Sequence, residues 1–155
     1  MKQALEEEYA FYSFAKDDLI EAYSSLKAIK KYKRNIAVSA LVKAAVISYS
    51  RPFKKCCGKY KACYKLQTNI IPDPYQSLHK KIITYRDQIF AHTDIDVRRP
   101  DVKKVKIDNK ECFGITYRSF SYKDFLHETE KMKKLIECIV SSVQKHVDEI
   151  KTKLS

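Results

Sequence analysis

Leu5, Tyr9, Tyr12, Ala15, Leu19, Ala22, Leu26 and Ile29 follow one another at steps of three and four residues, and this spacing most narrows what the chain can fold into. An α-helix turns about 100° per residue, so these side chains fall on a single stripe. The pattern predicts one long amphipathic helix running to about Tyr32, with an apolar face that other elements must cover. Met132, Ile136, Ile139, Val143, Val147, Ile150 and Leu154 repeat the spacing and predict a last helix. Only two Gly and four Pro punctuate the 155 residues, which leaves few places for a helix to break.

Asn35 to Ser50 is nearly continuous in Ala, Val, Leu and Ile, which predicts a second, central helix. Pro52 ends it, because proline lacks the amide of the next turn and restricts Arg51 before it. The apolar run Ile36 to Tyr49 is interrupted by Ser39, Lys43 and Ser48 and is short for a bilayer span. Residues 53–73 are expected to form a long basic connection with a helical turn around Tyr60 to Leu66. Asp73 suits an N-cap and Pro74 the first position of a third helix, which should end near Asp94.

Beyond Arg98-Arg99-Pro100 the apolar period becomes two, in Val105/Ile107 and Phe113/Ile115/Tyr117 around Asp108-Asn109-Lys110. That is a small β-hairpin. Ser121 and Asp124 then form a capping box for the last helix. The expected fold is all-α: an up-and-down four-helix bundle with a small β-hairpin inserted between the third and fourth helices. A single domain over residues 1–155 is the expectation for this length.

Lys and Arg total 31 against 19 acidic residues, a formal charge of +12. Such a field favours polyanionic partners, nucleic acid before an anionic membrane surface. No terminal segment joins a basic face to an aromatic and Leu-rich one as an interfacial helix does, so no membrane partner is expected. Met1 to Glu8 is acidic and lacks a signal peptide's apolar core, so a cytoplasmic location is expected. Five cysteines, an odd number, then argue for reduced thiols rather than a disulfide framework. Cys56, Cys57 and Cys63, with His79 downstream, have poor zinc spacing because no paired Cys-x-x-Cys is present. Ordinary loop thiols are expected, with no metal and no cofactor.

The chemistry points to Arg86-Asp87-Gln88-Ile89-Phe90-Ala91-His92-Thr93-Asp94. Arginine keeps its charge at any working pH and its planar fork matches phosphate oxygens. Histidine is the side chain suited to proton transfer near neutrality. An Arg followed after five residues by a His, with polar Asp87 after the Arg and Ala91 before the His, resembles the HEPN superfamily, most closely its abortive-infection and toxin branch. The resemblance covers nearly the whole chain. It implies a metal-independent endoribonuclease of a toxin–antitoxin or phage-defence system, working as a homodimer on RNA, with Arg86 and His92 catalytic. Some family members bind without cleaving, so the alternative it implies is a non-catalytic dimeric bundle that binds RNA or a protein partner. An antitoxin protein is a further implied partner, although Asp94 stands where some relatives carry the Tyr that an adenylyltransferase antitoxin modifies.

Six residues of regular helix would leave Arg86 and His92 about 120° apart around the axis and roughly 9 Å apart along it. A two-fold partner packing this edge against its own copy would gather two Arg and two His in one cleft. There the ribose 2′-oxygen would attack, with His92 as general base or acid and Arg86 stabilising the phosphorane. Asp87 and Asp94 are candidates to orient them. Two blander roles compete: His92 shares a stripe with Leu78, Ile82, Tyr85 and Ile89 and could be a core histidine, while Arg86 could simply pair with Asp87. Arg51, Lys54, Lys55 and Lys80 are the expected RNA-binding cations. Arg51 heads this group, and Phe53, Tyr60 and Tyr64 interleave with basic residues in a way that suits single strands.

Overall fold

The computed structural model describes residues 2–59, 62–87, 100–108, 110–116 and 122–155. It is mostly helical, with four principal helices and a two-stranded hairpin. Helix α1, Lys2–Ala28, buries Ala15, Leu19, Ala22 and Leu26, the inner part of the predicted stripe. It stops short of Tyr32: a 3-10 turn over Ile29–Lys31 tightens the end, and Tyr32 is extended at φ −115° and ψ 131°.

Helix α2 occupies Asn35–Ser50 as expected and buries Val38, Val42, Ala45, Val46 and Tyr49. Arg51–Phe53 forms a 3-10 turn holding Pro52, where the missing amide stops the α-helix. By length and composition Asn35–Phe53 is apolar enough to cross a membrane. Its inward face, however, lies in the helical core, while Ile36 at the start is 86% exposed.

The central position belongs to α1, which packs against both α2 and the last long helix, α5 at Thr129–Leu154. The α1–α5 seam is antiparallel and regular. Lys30 pairs with Glu130, Glu137 is the acidic neighbour that raises the Tyr23 phenol's pKa, and Lys16 donates to Gln144. Each retreat of seven residues along α1 therefore matches an advance of seven along α5. Leu19 and Ala22 meet Met132, Leu135, Ile136, Ile139 and Val143 in one core.

The expected Ser121/Asp124 capping box includes Ser121, which lies outside the described residues, and the last helical region is broken into two. A single turn, α4 at Lys123–Leu126, is followed by a bend, and α5 starts behind Glu128 without a side-chain cap. Thr129 Oγ1 instead back-bonds to the Phe125 carbonyl.

Residues 53–73 differ most from expectation. No helical turn occupies the described part of Tyr60 to Leu66; Tyr60 itself lies outside the described residues. Strands β1, Cys56–Cys57, and β2, Cys63–Tyr64, pair antiparallel, with Cys57 directly opposite Cys63. These two cysteines form a disulfide while Cys56, Cys112 and Cys138 stay free, which corrects the expectation of reduced thiols throughout. The Tyr64 ring stacks on Phe11 at 5.5 Å and its hydroxyl reaches the Ala4 carbonyl, so the segment is docked on the first half of α1. Gly58 sits close against the Glu7 carboxylate, so a Cβ there would push that side chain aside.

A 3-10 turn at Thr68–Ile70 and another at Asp73–Tyr75 lead into α3, Gln76–Tyr85. Asp73 begins the 3-10 turn rather than capping a helix, and neither cap residue there makes a side-chain bond. The helix packs near the C-terminal end of α2, through Tyr49 and Phe53 against His79. Its expected run to Asp94 lies outside the described residues.

Strands β3, Asp101–Ile107, and β4, Lys110–Thr116, form the expected hairpin with Ile107 opposite Lys110. Asp108 turns it at φ 48°, a left-handed conformation that Asp tolerates. Val102, Phe113 and Ile115 are exposed on it. Tyr117 and Asn109 lie outside the described residues.

Candidate functional site

Pro52 stops α2 and the turn that follows aims Lys54 at α3. The Lys54 amide bonds back to the Arg51 carbonyl at 3.0 Å, and the Lys54 ammonium reaches the Asp87 carboxylate at 2.5 Å. Arg86 donates to the other oxygen of Asp87 at 2.9 Å. Two cations 32 residues apart in sequence are thus gathered around one carboxylate. The three side chains are 38%, 28% and 37% exposed for Lys54, Arg86 and Asp87, so the cluster is half-sunk yet open to a ligand. Partial burial pushes the Asp87 carboxyl up, but hydrogen bonds and charge from Lys54 and Arg86 outweigh it and hold the group below its usual range. The cluster keeps one net positive charge.

Beneath it lies a buried polar pair. His79 and Arg86 are seven residues apart, so two turns of helix return them to nearly the same face. The Tyr49 hydroxyl and His79 Nδ1 are 2.8 Å apart, and Phe53 meets the His79 ring edge-on at 4.6 Å. Burial lowers the imidazole pKa and raises that of the phenol, so this is a bond between two neutral groups. A histidine so satisfied is a scaffold element rather than a proton carrier. It also takes His79 out of the zinc set weighed with Cys56, Cys57 and Cys63, two of which are joined to each other.

The helix changes character where the motif begins. The Arg86 amide shares the carbonyls of Ile82 and Ile83, and Arg86 and Asp87 enter a wider, π-type turn. Such widenings are frequent at functional positions. His92 and Asp94 lie outside the described residues.

The other expected cations are placed differently. Arg51 is engaged by Asp18 at 2.9 Å and Glu21 at 3.1 Å, which commits it to α1 instead of presenting it as an open charge. Lys55 and Lys80 are exposed, but Lys80, six residues before Arg86, sits about 120° around the helix from it. Lys54 is thus the RNA-binding candidate that joins Arg86. The Tyr49–His79 pair had one legible signal: a histidine seven residues before the motif arginine.

Neither a family model, nor a curated protein, nor a solved structure matches this chain. The class that fold and site define is a basic, mostly helical domain with a cationic cluster at one helix end.

Proposed function

We propose that the chain is a metal-independent endoribonuclease of HEPN type, acting as a homodimer in the cytoplasm within a toxin–antitoxin or phage-defence system. In this reading its helices form the up-and-down four-helix bundle of that superfamily. The observation that carries the proposal is the Lys54–Asp87–Arg86 cluster. The carboxylate fixes the Arg86 fork and draws in a second cation, so a phosphodiester would meet a preorganised positive site at the start of the Arg-His motif. Lys54 and Arg86 would bind and stabilise the phosphorane oxygens. His92 would move the proton of the 2′-hydroxyl or of the leaving 5′-oxygen, giving a 2′,3′-cyclic phosphate and a 5′-hydroxyl.

The test is cleavage of RNA by purified protein in EDTA. Wild type should cleave; His92→Ala and Arg86→Ala should each lose at least about a hundredfold in rate with unchanged circular dichroism. Equal residual cleavage in wild type and variants would point to a contaminant and overturn the proposal. Mixing Arg86→Ala with His92→Ala chains examines the dimer: if each site draws Arg from one subunit and His from the other, activity partly returns.

One observation favours a second reading. Arg86 already has Asp87 as an ion-pair partner, which satisfies it structurally without any substrate. A non-catalytic dimer that binds RNA or a protein partner would keep binding, but no cleavage, in the same assay.

A further inference from the structure

A cavity of about 160 Å³ opens between α1, α5 and the segment around the Thr68–Ile70 turn, and it shares no residue with the Lys54–Asp87–Arg86 cluster. Tyr12 and His146 contribute rings with centroids 5.2 Å apart and tilted by 37°. Gln67 and Asn69 contribute carboxamides, and Ile70 and Val143 apolar surface. Among the described residues no Lys, Arg, Asp or Glu lines it. The composition suits a neutral ring with a polar edge and offers nothing to balance a phosphate.

The size narrows the class. An apolar cavity of about 150 Å³ holds one benzene ring, so this space fits a single six-membered ring better than a fused pair. The polar groups narrow it again. A carboxamide presents one donor and one acceptor side by side, matching the alternating C=O and N–H edge of a pyrimidine base. His146 Nδ1 lies 3.3 Å from the Ser142 carbonyl; since a carbonyl only accepts, Nδ1 is the donor in this contact and Nε2 is the ring nitrogen it leaves for a ligand.

The frame is built rather than incidental. Leu66 and Ile71 are buried on either side of Gln67 and Asn69. The Leu66 amide bonds to the Pro52 carbonyl at 2.8 Å. Gln76 Nε2 donates to the carbonyls of Thr68 and Ile71 at 3.3 and 2.8 Å. Gln67 and Asn69 therefore line the cavity from a clamped turn. The chain's formal charge of +12 would concentrate nucleotides around the cavity without any cation inside it.

We propose that this cavity is a binding site for a pyrimidine base, with Tyr12 and His146 supplying ring contacts and Gln67 and Asn69 the hydrogen bonds to its edge. The proposal stands apart from RNA cleavage: a binding-only protein would need such a site as much as a ribonuclease. The shared chemistry is the base, whether on a free nucleotide or in a strand.

The experiment is an amide-resolved NMR titration of the full chain with uridine 5′-monophosphate, with adenosine 5′-monophosphate and with hexadeoxyuridylate. The last lacks the 2′-hydroxyl and stays uncut even if the protein is a ribonuclease. Uridylate and the hexamer should shift resonances of Tyr12, Asn69, Ser142 and His146, with adenylate weaker by about tenfold. Asn69→Ala and His146→Ala, both at exposed positions, should each weaken uridylate about fivefold, the effect of one lost hydrogen bond. A hexamer that binds more tightly than the monomer assigns the base to a strand; equal affinity assigns it to a free nucleotide. No shift at these residues with either uridine ligand at about 10 mM, adenylate as tight as uridylate, or unchanged affinity in both variants would overturn the proposal. None of these readouts depends on cleavage, so failure here and failure of the ribonuclease reading are separate results.

Discussion

The α1–α5 seam and the α2–α3 end are built on opposite principles. Along the seam, polar partners recur every seven residues beside a continuous apolar core, and no single contact is special. At the α2–α3 end the apolar contact is short and unusual groups accumulate: a 3-10 turn at Pro52, a buried Tyr49–His79 bond, and two cations around Asp87. Stability in the seam is spread over many methylenes, whereas the other end places a few polar groups at defined distances. Preorganising charge requires that placement, because each half-buried ion must find its partner.

The largest expected effect tests where stability resides. Leu19→Ala or Ile139→Ala should each destabilise the chain by about 2–5 kcal/mol, through lost burial and the cavity left behind. Urea unfolding is the measurement. An effect below about 1 kcal/mol at both positions would mean that the seam is not the main core.

Next comes the chemistry. Arg86→Ala should reduce RNA cleavage at least about a hundredfold while shifting stability by no more than about 1 kcal/mol, since its partner Asp87 keeps Lys54 and the site is partly solvated. A large loss of stability would instead make Arg86 a structural residue and erase the contrast between the two regions.

Much of the seam is legible in the sequence because local periodicity encodes it: the α5 stripe from Met132 and the α2 bounds at Asn35 and Ser50 follow from spacing and from Pro52. The hairpin follows from alternation about Asp108. The centrality of α1 does not, because its Lys16, Glu21 and Tyr23 dilute its apolar character while making the flanking contacts. The fold of residues 53–73 depends on distant partners, Phe11 for Tyr64 and Glu7 for Gly58, and no local rule encodes those. The Cys57–Cys63 pairing is hidden by the odd cysteine count. Of the site, Arg86 and Asp87 are legible as a motif, but the 33-residue separation of Lys54 from Asp87 is closed only by folding.

A third expectation concerns the buried pair. Tyr49→Phe removes the partner of His79 Nδ1 and should cost about 1–3 kcal/mol. Because burial depresses the His79 pKa below 6.5, the unfolded chain takes up this proton at a higher pH than the folded one. The contribution is therefore favourable above pH 6.5, declines as pH falls towards the depressed value, and levels off below it. Asp87, also depressed but from 3.8, adds its own loss only in more acid solution. Urea midpoints between about pH 7.5 and 5 should fall in wild type, and the decline should be shallower in Tyr49→Phe/His79→Phe, where both polar groups are gone. An equal decline in that double variant would show that another group titrates.

The smallest expected effect belongs to Arg51. Its bonds to Asp18 and Glu21 tie α2 to α1, yet its side chain is 52% exposed, so water competes for both. Arg51→Ala should therefore cost at most about 0.5–1 kcal/mol. It should also weaken RNA binding less than Lys54→Ala does, because the two carboxylates already hold its charge while Lys54 shares one carboxylate with Arg86. Filter binding at two salt concentrations separates the cases: a cation in direct phosphate contact lowers the salt dependence when removed. If Arg51→Ala changes that slope by as much as Lys54→Ala, Arg51 leaves its acidic partners for RNA, and the binding surface extends from the α3 cluster along the α1–α2 edge.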